Sequence, residues 1–414
     1  MKFGVFYEHQ LPKPWTEDDE FRLLHEALDQ VVLADELGFH HAWEVEHHFL
    51  DEYSHSSAPE VFLSAAAART KKIRLGHGIR QVIPNYNHPA RTAECVSTLD
   101  LISDGRVDFG IGEGATRLEL HGFDIPAKQK RAMSLEAAEQ VANMMALDPY
   151  PGYSSENFSL PCRNVLPKPR QKPHPPMWIA CTNRDTIKLA AQNGLGALAF
   201  SFVDPDEART WVDIYYDIIK SDECVPLGHT VNPNIALVAG FSMHEDREEA
   251  IRRGQEGFEF FGYALNALVA HDQVPGRTNL WGEFQELRGN GTEERIRKAR
   301  ELGDEYRSCI GAPADARRYL SEMRDVGVDQ VIFLQQVGKN RHEDICHSLQ
   351  LFADEVMDEF AGDEDARQEK KDAELAPYVE AALARKQWMQ PLADEDIPVV
   401  RASVAKAQTS SRGD

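Results

Sequence analysis

The sequence predicts an α/β fold, a TIM (β/α)8 barrel with a helical insertion between strands 7 and 8 and a charged C-terminal tail. Three observations carry that expectation. The hydrophobic period switches repeatedly between strand-like and helix-like stretches, as βα units feeding a parallel sheet require. Strand-like runs of this kind number eight before residue 340. Polar or glycine-rich residues stand at the carboxyl ends of several of them, where such a barrel assembles its pocket: WEVEHHF at 43–49, IRLGHGIR at 73–80, VDFGIGEG at 107–114 and MWIACTNR at 177–184.

The strands are expected at 2–8, 39–45, 73–80, 107–112, 177–182, 197–202, 234–242 and 330–336. A helix over 17–37 follows from Phe21, Leu24, Leu28, Val31, Val32 and Ala34 on a 3.6-residue period, and Gly38 stops it. A second, over 89–103, opens on Pro89, keeps Val96, Leu99 and Ile102 on one side and ends near Gly105. Eight prolines between 149 and 176 exclude a regular helix there and predict an extended excursion over the surface. Residues 244–325, roughly 80 of them, exceed the usual connection between neighbouring elements and read as a helical insertion that covers the barrel mouth or contacts another subunit. An amphipathic helix at 343–360 closes the barrel domain, 1–360. The remaining stretch, 361–414, is charged enough to predict a peripheral tail that buries little apolar surface.

Charge narrows the partners. With 68 acidic against 45 basic residues, a formal charge of −23, the chain repels nucleic-acid backbones and anionic membranes. It has no run of about 18 apolar residues, and its N-terminus enters a strand directly, so a cytoplasmic protein is expected. Six scattered cysteines without a C-x-x-C pair read as thiols in a reducing compartment. Exposed helices on a barrel make a homodimer the default assembly.

Histidine suits proton transfer near neutral pH, and His47 and His48 stand at a strand end. Because successive residues diverge there, one of the pair faces the pocket. His40 and His41, at the start of the same strand, belong to the opposite, stabilising face. Glu44, Glu46, His47 and His48 are metal-ligand types, but their spacing matches neither H-E-x-x-H nor its inverse, and no metal is expected. GIGEG at 110–114 lacks the spacing of a dinucleotide fingerprint and follows the fourth strand. Its glycines, like those of GHG at 76–78, either admit a flat ring close to the backbone or relieve crowding inside a barrel. For a phosphate, TNRDT at 182–186 offers a helix start with Arg184 beside it, and Arg131 is a second candidate cation.

Taken in order, MKFGVFYEH, WEVEHHF, VIPNYNHPARTAECVSTLDLISDGRVDFGIGEG, KRAMSLEA, IGAPADARRYLSEMRDVGVDQVIFLQ and LQLFADEVMDEF resemble the bacterial luciferase-like, flavin-dependent monooxygenases over nearly the whole barrel. The resemblance implies a TIM barrel with an insertion before its last strand. It implies that His47, preceded by Glu46 and followed by His48, is the catalytic histidine beside the flavin, holding or protonating the oxygenated cofactor. It puts Gly78 and Ile79 at a non-prolyl cis peptide under the ring, Gly112 in the neighbouring strand end, Arg131 on the FMN phosphate, and Asn183, Arg184 and Thr186 in the phosphate loop, where only Thr186 is identical to the luciferase pattern. It also departs. Luciferases carry a cysteine and then an arginine where this chain has Gly112 and Glu113, so a thiol is lost and an anion replaces a phosphate-seeking cation. The implied activity is the oxygenase half of a two-component system, with reduced FMN from a separate flavin reductase, dioxygen, and a small apolar organic substrate. Aromatic residues Phe258, Phe260, Phe261 and Tyr263 would wall the pocket, with Tyr7, Trp43 and Phe202 near strand ends. The alternative on the same fold is a deazaflavin-dependent dehydrogenase or reductase.

Overall fold

A computed structural model describes residues 1–289 and 308–401; residues 290–307 of the expected insertion and 402–414 of the expected tail lie outside the described residues. In chain order the elements are β1 (Lys2–Tyr7), α1 (Asp19–Leu37), β2 (His41–Glu44), α2 (Pro59–Arg69), β3 (Arg74–Gln81), α3 (Pro89–Ile102), β4 (Val107–Gly112), α4 (Arg117–Gly122), α5 (Lys130–Ala146), β5 (Tyr150–Ser154) and β6 (Ser159–Arg163). There follow β7 (Met177–Cys181), α6 (Arg184–Gln192), β8 (Gly196–Ala199), α7 (Pro205–Ile219), β9 (Ile235–Met243), α8 (Arg247–Ala270), α9 (Leu280–Leu287), β10 (Cys309–Gly311), α10 (Pro313–Asp325), β11 (Gln330–Gln335), α11 (His342–Phe352) and α12 (Glu364–Arg385).

Eight parallel strands close a ring in the order β1, β2, β3, β4, β7, β8, β9, β11 and back to β1, so each expected strand takes its place in the barrel. The period-2 alternation of each strand builds two cores. On β1, Phe3, Val5 and Tyr7 face the helices, while Phe6 points inward to meet Trp43 and Trp178. Tyr7 therefore lies in the outer core beside Phe62 rather than at the pocket. The same alternation carries Glu8 to the interior side of the mouth. At the barrel base His41, Asp108, Gln330 and Trp178 form a hydrogen-bonded plug, which gives His41 its structural role.

Helix α1 ends at Gly38, whose φ of 91° suits glycine. Its buried stripe is Leu23, Ala27, Gln30, Val31 and Ala34, while Phe21 and Leu24 are exposed; the inward face is set by the steps of three and four that start at Leu23. Ile102, at the end of α3, is likewise exposed. The proline-rich excursion holds the antiparallel pair β5 and β6.

Three features of the second half were not expected from the sequence. A short strand, β10, extends the sheet by pairing with the far end of β9. Helix α10 buries Ala316, Tyr319, Leu320 and Met323 and is the ordinary crossover before β11, so the segment beyond a minimal barrel is shorter than 244–325. Helix α12, inside the stretch expected to be a peripheral tail, packs against the barrel. It buries only Leu375 and Ala382 with Glu364, and its attachment is largely polar: Arg367 and Lys371 reach Asp329 at 3.1 and 2.8 Å. Hydropathy does not register such contacts.

Candidate active site

His47 stands in the loop after β2, its N–H donating to Ser56 O at 2.8 Å. Its Nδ1 donates to Glu119 Oε1 at 2.9 Å, and its Nε2 lies 3.6 Å from Glu8 Oε2. The Tyr53 hydroxyl donates to the other Glu8 oxygen at 3.1 Å. Glu119 also accepts the His48 N–H and the Thr116 hydroxyl, at 3.2 and 2.9 Å. Both carboxylates are buried, whereas the His47 side chain is 18% exposed and is the most open member of the group.

This arrangement sets the protons. Burial lowers an imidazole pKa, but the Glu119 and Glu8 carboxylates outweigh it and raise His47 to about 9. Burial raises Glu8 to about 7, against the opposing pull of His47 and the Tyr53 hydrogen bond. Glu119 is held below its ordinary value, because His47 and the hydrogen bonds it accepts overcome its burial. At pH 8 the group is an imidazolium between two carboxylates.

Glu46 and His48, expected beside His47 in the chemistry, face elsewhere. His48 Nε2 meets Glu46 Oε1 at 3.1 Å, and Glu46 also accepts Asn87 Nδ2 and the Gln81 N–H at 2.8 and 2.9 Å. The His48 ring packs on Phe123 and Tyr86. The pair braces the loop after β3, and this is the physical outcome of neighbouring residues diverging at a strand end.

The Gly78–Ile79 peptide bond is cis. A Cβ on Gly112 would lie 2.1 Å from Ile79 Cδ1, so the bare position makes room for that side chain rather than for a ligand. Gly76 clears the Trp43 ring and Gly110 clears His77 O. For these three glycines, crowding explains the residue.

The expected phosphate contacts are already engaged within the chain. Arg131 Nε and Nη2 each lie 3.3 Å from Glu113, and Lys130 Nζ lies 3.4 Å from the same carboxylate. Arg184 Nε donates to Glu207 at 2.7 Å. Asn183 Oδ1 accepts the N–H groups of Asp185 and Thr186, and Thr186 Oγ1 accepts those of Thr182 and Asn183. The helix start is thus a self-satisfied capping box.

Helix α8 covers the mouth. Phe260 and Phe261 belong to the inner core, Phe258 and Phe261 meet Phe202 with ring centroids 4.8 and 5.9 Å apart, and Phe261 meets Tyr53 at 5.6 Å. A flavin needs apolar plates for its ring, a proton-bearing group at the ring edge, and a cation for its phosphate. The residue types present fit such a group: Ile79 and these aromatics would serve as plates, and His47 as the proton-bearing group. Arg131 and Arg184 are paired with Glu113 and Glu207, and would be open to a phosphate only where it displaced those carboxylates.

Glu8, Tyr53 and Glu119 escaped the sequence reading. Thr116-x-x-Glu119 has the spacing of a capping box and could have flagged a carboxylate at a helix start, and Glu8 ends the first strand as His47 follows the second. Among the described residues a cluster of ligand types occurs away from the site, at His244, Glu245 and His347, with ligand atoms within 4.8 Å of one another. There His244 Nδ1 accepts the Asp246 N–H, which puts the proton of a neutral ring on Nε2.

With this fold and site in view, comparison with known proteins gives the family. The sequence profile of luciferase-like monooxygenases matches residues 1–330, and the chain belongs to that family. It is 32% identical over 339 residues to protein y4wF of Sinorhizobium fredii, covering 77% of this chain and 94% of that one. It is 30% identical over 200 residues to the oxygenase component of the flavin-dependent trigonelline monooxygenase of Acinetobacter baylyi, about half of each chain (47% and 52%). The monooxygenase RslO1 of Streptomyces bottropensis superposes with a TM-score of 0.70 at 27% identity, over 87% of this chain and 100% of that one. Two solved structures at 17% identity share the fold and differ in cofactor. The oxygenating constituent of 3,6-diketocamphane monooxygenase of Pseudomonas putida, in complex with FMN, has a TM-score of 0.64 over 86% and 98% of the chains. An F420-dependent secondary alcohol dehydrogenase has 0.62 over the same shares. Among the described residues no helix is long and apolar enough to cross a membrane.

Proposed function

We propose that this enzyme is the oxygenase component of a two-component monooxygenase, taking reduced FMN from a separate flavin reductase and using dioxygen to oxygenate a small apolar organic substrate. The observation that carries the reading is the His47 imidazole, set between the Glu119 and Glu8 carboxylates at a barrel mouth walled by aromatic side chains. Reduced flavin, when bound, supplies the two electrons that activate dioxygen. The chain's own residues do the rest. His47 keeps a proton at Nε2, the nitrogen that faces Glu8, and Glu119 fixes the ring by its Nδ1. Arg131 and Arg184 would hold the phosphate beside the helix start of Asn183 and Thr186 once Glu113 and Glu207 give way, and Phe202, Phe258 and Phe261 would keep water from the reacting atoms.

Stopped-flow absorbance of the protein with reduced FMN and dioxygen tests the reading. Tight binding of reduced FMN and a protein-dependent, oxygen-dependent absorbance phase support it; reduced FMN that oxidises at its free-solution rate sinks it.

One observation favours a second reading. Both candidate phosphate cations are paired with carboxylates, which suits a deazaflavin whose phosphodiester needs less charge than the FMN monoester. That enzyme would oxidise or reduce its substrate by hydride transfer without oxygen. Anaerobic turnover with deazaflavin and none with FMN would establish it.

A further inference from the structure

The reading above uses Glu8 only as a neighbouring charge for His47, yet its setting is unusual. It is 4% exposed, and Oε2 is a buried oxygen that accepts no hydrogen bond among the described residues. His47 Nε2 lies 3.6 Å from Oε2, while Tyr53 fixes Oε1. The Tyr53 ring is held in turn, against the His47 ring with centroids 5.7 Å apart and against Phe261 from α8. A carboxylate anchored by one oxygen, with the other aimed at the site imidazole, can exchange a proton with it after a movement of less than an ångström.

We infer that Glu8 is a positioning residue that works through His47, accepting and returning the Nε2 proton and so setting when the imidazole is charged. This rests on the proposed role of His47 and assigns a regulator of its protonation. The step is a proton transfer alone: the Nε2–H bond breaks as the Oε2–H bond forms, the imidazolium becomes neutral imidazole, and the carboxylate becomes carboxylic acid. Glu119 stays ionised and keeps Nδ1–H. The groups that face Glu8 are His47 and Tyr53 from the loop after β2, Glu44 from β2 and Glu119 from α4. Glu119 and Glu44 repel a second negative charge at Glu8, and His47 attracts it. With burial added, Glu8 is pushed up to about 7, between an ordinary glutamate and His47 itself.

The test follows the ring nitrogen shifts of His47 by NMR in the chain without cofactor, for wild type, Glu8→Gln and Tyr53→Phe. In wild type the imidazole keeps its proton to about pH 9 and its shifts show a second, smaller inflection near pH 7 as Glu8 ionises. Glu8→Gln removes the smaller inflection and lowers the main midpoint. Tyr53→Phe keeps two inflections and moves the smaller one upward, because a hydrogen bond that favours the ionised carboxylate is gone. A wild-type curve without the smaller inflection, or a Glu8→Gln curve superimposable on wild type, overturns the inference. In turnover, Glu8→Gln loses the acid limb of the kcat/KM profile at unchanged affinity for FMN; an acid limb that persists also overturns it. A chain that gives the expected NMR curves but binds no flavin would refute the proposed function and leave this inference standing.

Discussion

His47 Nδ1 lies 2.9 Å from Glu119 Oε1, and the carboxylate that receives it is fully buried. Glu119→Gln removes the larger of the two charges that hold the imidazolium, so the His47 midpoint falls from about 9 toward 6.5. A raised histidine pKa stabilises the fold in full below its unfolded value and ceases to do so as the pH rises through its folded one. The stability gap between wild type and Glu119→Gln should therefore be widest near pH 6 to 7, about 3–5 kcal/mol for a broken buried pair, and shrink as the pH passes about 9. Thermal unfolding at pH 6.5, 8 and 9.5 measures it, and a gap that does not change with pH refutes the assignment.

His47→Asn keeps the ring-edge polarity but loses the proton. Reduced FMN should bind as before, while product per oxygen consumed falls at least about tenfold, within the range for a lost general acid or base. Unchanged coupling, read by product analysis against oxygen uptake, would remove His47 from the chemistry.

Arg131 and Glu113 make opposite predictions for one ligand. Arg131→Ala should weaken FMN and leave riboflavin, which lacks the phosphate, nearly unmoved. Glu113→Gln frees the guanidinium and should tighten FMN severalfold, an effect that fades with added salt because the pair is half exposed. Calorimetric titration with both ligands decides; equal losses for FMN and riboflavin in Arg131→Ala would exclude the phosphate role.

The barrel was legible because its strands carry their own period and end in glycine or polar runs, and each expected strand has its partner in the ring. The order of motifs led to the family, and the position of His47 after a strand led to the site. What surrounds His47 was not legible. Glu119 is 72 residues away in sequence, and a spacing rule sees its place on a helix, not the direction of its carboxylate. Glycine residues at strand ends look alike whether a ligand or a neighbour fills the space, and only the Ile79 side chain against Gly112 separates the two. Helix α12 was missed for a related reason: its contacts are ion pairs, which composition reads as solvated charge.

Asp329 tests that last point. It is buried and accepts the Ile235 N–H at 2.9 Å and the Tyr216 hydroxyl, besides Arg367 and Lys371. Despite burial, the two cations hold its carboxyl below the ordinary value. Asp329→Ala takes from Lys371 its carboxylate and leaves Arg367 with Glu364 alone, and should cost about 3–5 kcal/mol at pH 7, with FMN affinity intact at 25 °C. Because the pKa is depressed, this stability is present above the ordinary aspartate pKa of 3.8 and is lost as the pH falls through the folded value. A chemical-denaturation difference under 1 kcal/mol would show that α12 is held by something else.

Glu52 ties the covering segment to the loop that carries Tyr53. Its buried carboxylate accepts the N–H groups of Leu280 and Trp281 at 2.6 and 3.1 Å, at the start of α9, and the Lys13 N–H at 2.9 Å. Asn279, at the helix start, makes no side-chain cap, so Glu52 performs that task from another loop. Glu52→Ala leaves the buried Leu280 N–H and the partly buried Trp281 and Lys13 N–H groups without this acceptor, a local cost of about 1–3 kcal/mol, while Glu8, His47 and Glu119 keep their places. Hydrogen exchange should then accelerate over 258–287 and stay unchanged in β1 and β4. If the aromatic wall excludes water from the reaction, a larger share of the consumed oxygen will appear as hydrogen peroxide. Faster exchange with unaltered coupling would show that the wall is structural and that water is kept out by other residues.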